Sequence, residues 1–119
     1  MSLSNYLENQ LLTHITSTYT VYVKLHTGDP GEDGINNASG ETDRKTITFG
    51  SPSSGTITST SEPEWTNWKS GNNGEVITHF SLWTASTGGN CLGYGAANTV
   101  RTMASGDHYK ITTLTWSLD

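Results

Sequence analysis

Four histidines, one cysteine, one acidic turn and four tryptophans are the residues of this 119-residue chain that could carry chemistry. His14, His26, His79 and His108 fall in four separate segments, and single histidines on strands read as structural. Cys91 has no second cysteine to pair with and reads as a small buried hydrophobe. No G-x-S-x-G nucleophile turn is present, and GSPSSG (residues 50–55) lacks the lysine of a phosphate-binding loop. The run Asp29-Pro-Gly-Glu-Asp33-Gly34 has part of the form of a calcium loop, with Asp29 and Asp33 at the first and fifth ligand places. Gly31 and Gly40 stand where two further ligands are needed, so the run reads as a solvated acidic turn. Trp65 and Trp68 flank Thr-Asn, and aromatic faces at that spacing could stack on sugar rings. The competing reading puts Trp65, Trp83 and Trp116 in the core or an interface. No catalytic group, metal or cofactor is expected, and the empty motif search argues against an enzyme.

The elements that must hold these residues are mostly strands. Residues 76–83 (VITHFSLW) and 91–96 (CLGYGA) flank a turn rich in Thr, Ser, Gly and Asn, the sequence form of a hairpin. Alternation places Val76, Phe80 and Leu82 on one face of the first arm, and Ile77, His79, Ser81 and Trp83 on the other. In the second arm Cys91, Gly93 and Gly95 make a nearly bare strip. Glycines inside a strand mark close approach of another group, and a Trp or Tyr over the strip is expected. Further strand signals lie at 19–26, 45–49, 55–60, 62–68, 99–103, 108–112 and 114–118. The apolar parity changes between Ile111 and Leu114, which predicts a bulge at Thr112–Thr113 or a break into two strands. Leu3, Leu7, Leu11 and Ile15 recur every four residues, with Tyr6 and Leu12 widening the stripe, so residues 3–15 read as a helix. Its stripe must lie on the chain's own body or on a partner. The loop 27–44 is long for a compact domain and reads as functional or mobile.

The expected fold is all-β: an antiparallel, jelly-roll-like sandwich of about eight short strands with a short N-terminal α-helix. An amphipathic helical arm (1–18) precedes the sandwich unit (19–119). Apolar residues make up only 32% of the chain and charged residues 14%. A core filled this lightly suits stability shared with subunit contacts. The net charge is −5, and the six Lys and Arg are scattered, so no nucleic-acid or anionic-membrane surface is expected. No run of apolar residues is long enough to span a bilayer, and the N-terminus lacks the form of a secretory signal. The lone cysteine suits synthesis in a reducing cytoplasm.

Several segments together resemble a family of small tailed-bacteriophage virion proteins, commonly labelled phage tail fibre proteins. They are SNYLENQLLTHI, YVKLHTGDPGEDG, TITFGSPSSGTIT, VITHFSLWTASTGGNCLGYGA and GDHYKITTLTWSLD. Without heptads or a β-helical repeat, a chain of this size does not build a long fibre alone. Similar small phage sandwiches decorate capsids, often as trimers. The resemblance therefore implies a virion structural protein, with head decoration (cement) on the major capsid protein as the leading expectation. A homotrimer is expected, in contact with that or another phage structural protein. The alternative is a tail or fibre component, a receptor- or glycan-binding knob, with Trp65 and Trp68 as its stacking faces. Expected partner and subunit contacts are Leu3, Tyr6, Leu7, Leu11 and Ile15 on the helix, and Asp29, Pro30, Glu32 and Asp33 in the loop.

Overall fold

Ser4 starts the first element: its Oγ accepts the Leu7 N–H at 3.2 Å, and α1 runs over Asn5–Thr18. The computed structural model describes residues 1–118; Asp119, the last residue of the expected sandwich unit, lies outside the described residues. Tyr19 closes the helix by donating its N–H to the Ile15 carbonyl. The chain then enters β1 (Val21–His26), whose residues Val21, Val23 and Leu25 are buried in alternation.

β1 pairs with β2 (Lys45–Ile47) on one side and with β5 (Val76–Trp83) on the other, and β5 pairs with β6 (Cys91–Thr102). All three pairings are antiparallel, giving a four-stranded sheet in the order β2-β1-β5-β6. Two ribbons complete the strands: β3 (Thr56–Thr58) with β8 (Thr115–Ser117), and β4 (Glu64–Trp65) with β7 (Tyr109–Lys110). The main core cluster joins Val21, Val23, Leu25, Ile47, Ile77 and Leu82 of the sheet to Trp65, Trp68, Met103, Tyr109 and Leu114 from the ribbons and their connections. The expected all-β, eight-strand antiparallel fold with one N-terminal helix is thus the observed one.

The parity change at Thr112–Thr113 is the break into two strands, one of its two expected outcomes, with β7 ending at Lys110 and β8 starting at Thr115. Two details differ from the sequence reading. The layer opposite the sheet is two short ribbons, not one continuous sheet. The segment 99–103 is no separate strand; β6 continues through it to Thr102. Strand pairing explains this extension. Ile77 pairs with Arg101 and His79 with Ala96, so Ala97 to Val100 stand opposite Thr78 alone. The extra residues form a bulge in β6. Ile77 and Leu82 share the core despite opposite parity, while Val76 is 39% exposed.

Candidate functional site

The long loop after β1 is pinned across the sheet. His26 is fully buried, and its Nδ1 lies 2.9 Å from the Asn36 carbonyl, which fixes the proton on Nδ1. Nε2 is left to accept from the Ser81 hydroxyl at 2.7 Å. Ser81 Oγ in turn accepts the Trp83 indole N–H at 2.7 Å. A Ser–His contact of this length can activate a nucleophile. Here both residues are fully buried and the serine oxygen is already taken by Trp83, so the pair holds the loop. Gly34 carries the loop over Trp83 and Cys91 with φ +71, and a Cβ there would lie 2.7 Å from Cys91 Sγ. The Arg44 guanidinium stacks 4.2 Å above the Trp83 ring and donates to the Ala85 and Gly88 carbonyls of the β5–β6 turn. At the other side of the loop, Glu75 accepts from Ser39 Oγ at 2.8 Å and from the Gly40 N–H at 2.9 Å. Burial pushes the Cys91 thiol up, with Asp33 adding to the effect against the pull of the Gly93 carbonyl contact and Arg44.

Burial holds His26 below its usual pKa, with Lys24 and His79 adding repulsion against the pull of the Asn36 and Asn37 carbonyls. A folded-state value below the unfolded one means that the unfolded chain takes up the proton first. The stability tied to neutral His26 is present above about pH 6.5 and declines as pH falls below it. The urea midpoint should drop between pH 7.5 and 5.5, by up to about 1.4 kcal/mol of stability per pH unit. A midpoint that holds steady across that range would contradict this role for His26.

Of the expected loop contacts, Asp29, Glu32 and Asp33 are exposed, and Asp29 accepts the Gly31 N–H in an Asx turn. Pro30 departs from expectation: it is buried under the loop and unavailable to a partner. Among the described residues, no three His, Cys, Asp or Glu side chains gather into a metal-binding group.

The helix stripe divides in two. Leu12 and Glu8 are buried, and Ile15 packs on the core; the Gly55 N–H donates to Asn9 Oδ1 at 2.9 Å, seating α1 beside β3. Ile15 is thereby removed from the expected contact stripe. On the adjoining arc Leu7 and Leu11 remain 42% and 41% exposed, and Tyr6 73%; Leu3, expected to open the helix, precedes the Ser4 cap instead and is 38% exposed. The Trp65 and Trp68 expectation is overturned. Both are 1% exposed, with their indole N–H groups donating to Asp43 and Asn72 carbonyls, so neither has a face open to a sugar.

A groove that no motif indicated lies between β6 and β8. It has a volume of about 410 Å³ and is bounded by Phe80, Gly95, Asn98, Leu114, Thr115 and Trp116, among others. Its one sequence signal is the bare glycine strip. As expected, an aromatic covers it: a Cβ on Gly93 would sit 3.0 Å from Trp116 Cζ2, and one on Gly95 would sit 3.4 Å from Phe80 Cζ.

A family model described as Podophage GP4 fiber I protein gp80 matches residues 2–119. A comparison with curated proteins finds no match. The family match favours a fibre component over the leading expectation of head decoration. With the match spanning nearly every residue, the chain belongs to this podophage fibre family and is a component of the virion.

Proposed function

We propose that this protein is a structural, non-enzymatic fibre component that joins other phage structural proteins through the outer face of α1, and that it assembles as a homotrimer. One observation carries the reading: a leucine stripe stays open to solvent on a helix whose neighbouring arc is already docked by Glu8 and Leu12. A helix free to turn would bury its leucines on its own domain. This one cannot, because Leu12, Ile15 and the Asn9–Gly55 hydrogen bond fix its rotation. A stripe of this kind gains stability by packing on like stripes around a three-fold axis. The exposed acids Asp29, Glu32 and Asp33 supply a second contact.

Deleting the helix would remove buried Leu12 and confuse folding with assembly, so substitutions on the open arc are the sharper test. Leu7→Lys combined with Leu11→Lys should convert the trimer to a monomer in sedimentation equilibrium, with little change in the monomer's thermal melt. The same variant should fail to enter virions. A trimer that persists with both lysines in place would refute the assignment. The number of copies per virion tests the location, with a handful supporting the fibre and hundreds supporting the head.

A further inference from the structure

We propose that the groove between β6 and β8 binds an uncharged glycan, with Trp116 as its stacking surface. The proposal goes beyond the assembly role and does not depend on it. Trp116 is half-buried and set against Gly93, with Phe80 beside it against Gly95. The glycines let these two rings lie close on the β6 backbone, and Trp116 keeps part of its surface open to the groove. An indole or phenyl face of this kind takes the C–H face of a sugar ring. Hydrogen-bonding groups stand around the rings. Asn98 is held in place by donating its Nδ2–H to the Thr113 carbonyl at 3.1 Å, which leaves its Oδ1 to accept. Thr115 and Ser117 bring hydroxyls, and Ser117 Oγ shares a hydrogen bond with Thr56 Oγ1 at 2.8 Å. Among the described residues β6 pairs only with β5, and β8 only with β3, so each also has main-chain groups on an unpaired edge.

Among the described residues, the lining holds no Asp, Glu, Arg, Lys or His. A phosphorylated, sulfated or sialylated ligand would find no counter-charge there, and a neutral saccharide needs none. The volume falls within the usual range of small-ligand sites, about 300–1,000 Å³. Two unpaired edges could instead receive a peptide strand. The groove is short for that, because side chains tie β6 to the 108–113 segment at one end. The Tyr109 hydroxyl donates to the Thr99 carbonyl at 2.7 Å, and Arg101 donates to the His108 carbonyl at 2.7 Å.

The test is saturation-transfer NMR on the full chain, with a panel of neutral hexose and N-acetylhexosamine oligomers and with sialylated and sulfated oligomers as controls. Binding of neutral members is expected, with transfer strongest to ring C–H protons and a change in tryptophan fluorescence. Trp116→Ala should weaken binding at least tenfold and Trp116→Phe less. Because Trp116 touches the core, Thr115→Lys is the companion variant; it charges the exposed rim, leaves the core alone and should also cost at least tenfold. The Leu7→Lys, Leu11→Lys variant should bind per site as the parent does. No binding by any neutral oligomer would overturn the proposal while leaving assembly through α1 standing. Binding that Thr115→Lys and Trp116→Phe leave untouched would do the same, as would a groove found filled by a second copy or a peptide.

Discussion

Trp65→Ala should lower stability by about 3–5 kcal/mol, the usual cost of emptying a large aromatic site in a core. The indole is 1% exposed, its N–H donates to the Asp43 carbonyl at 2.8 Å, and its ring meets Tyr109 at 6.3 Å between centroids. Alanine removes all three interactions and leaves a void between the sheet and the β4–β7 ribbon. For a domain of this size the melting temperature should fall by roughly 10 °C or more, as circular dichroism would show. Trp68, equally buried with its N–H on the Asn72 carbonyl, should behave alike. The contrast with Trp116 is the informative part. A half-exposed ring in the groove should lose ligand before it loses fold. A Trp65→Ala protein melting within two or three degrees of the parent, with altered sugar binding, would reverse the roles given to these residues.

Ser81→Ala is the second large effect, and it removes a single oxygen. That oxygen accepts from Trp83 Nε1, and its hydroxyl donates to His26 Nε2, both at 2.7 Å in a fully buried setting. Alanine strands a donor on Trp83 and an acceptor on His26. Each buried orphan costs about 1–3 kcal/mol, so the expected loss is roughly 2–6 kcal/mol. The damage should concentrate in the loop 27–44. Amide exchange should accelerate at Thr27, whose N–H donates to the Asn37 carbonyl, and at Ser39, whose N–H donates to the Leu25 carbonyl. The β3–β8 ribbon, which makes no hydrogen bond to the His26–Ser81–Trp83 network, should keep its protection. Uniform acceleration over the whole domain, or none, would count against the network as the loop's anchor.

Read by itself, the sequence determined the elements. Alternation along 76–83 and 91–96 located the central hairpin, and a four-residue leucine period located α1, because both periods are local properties of the backbone. The parity change near Thr112–Thr113 marked the break between β7 and β8 for the same reason. The glycine strip foretold its aromatic cover, though not that Trp116 would supply it, since that contact joins residues more than twenty positions apart. Tertiary structure decided what local periods cannot carry. The β5–β6 pairing placed a bulge in β6 opposite Thr78, and Ile77 joined Leu82 in the core despite opposite parity. Landing of the helix on β3 chose Leu12 and Ile15 for burial and left Leu3, Tyr6, Leu7 and Leu11 outside. Closure of the loop over Trp83, which periodicity could read only as functional or mobile, pinned it to the sheet and drew Pro30 inward. Trp65 and Trp68 went to the core because an indole whose N–H finds a carbonyl is worth more buried than wet. Each outcome depends on which distant surface meets a residue, and that is fixed only when the layers pack.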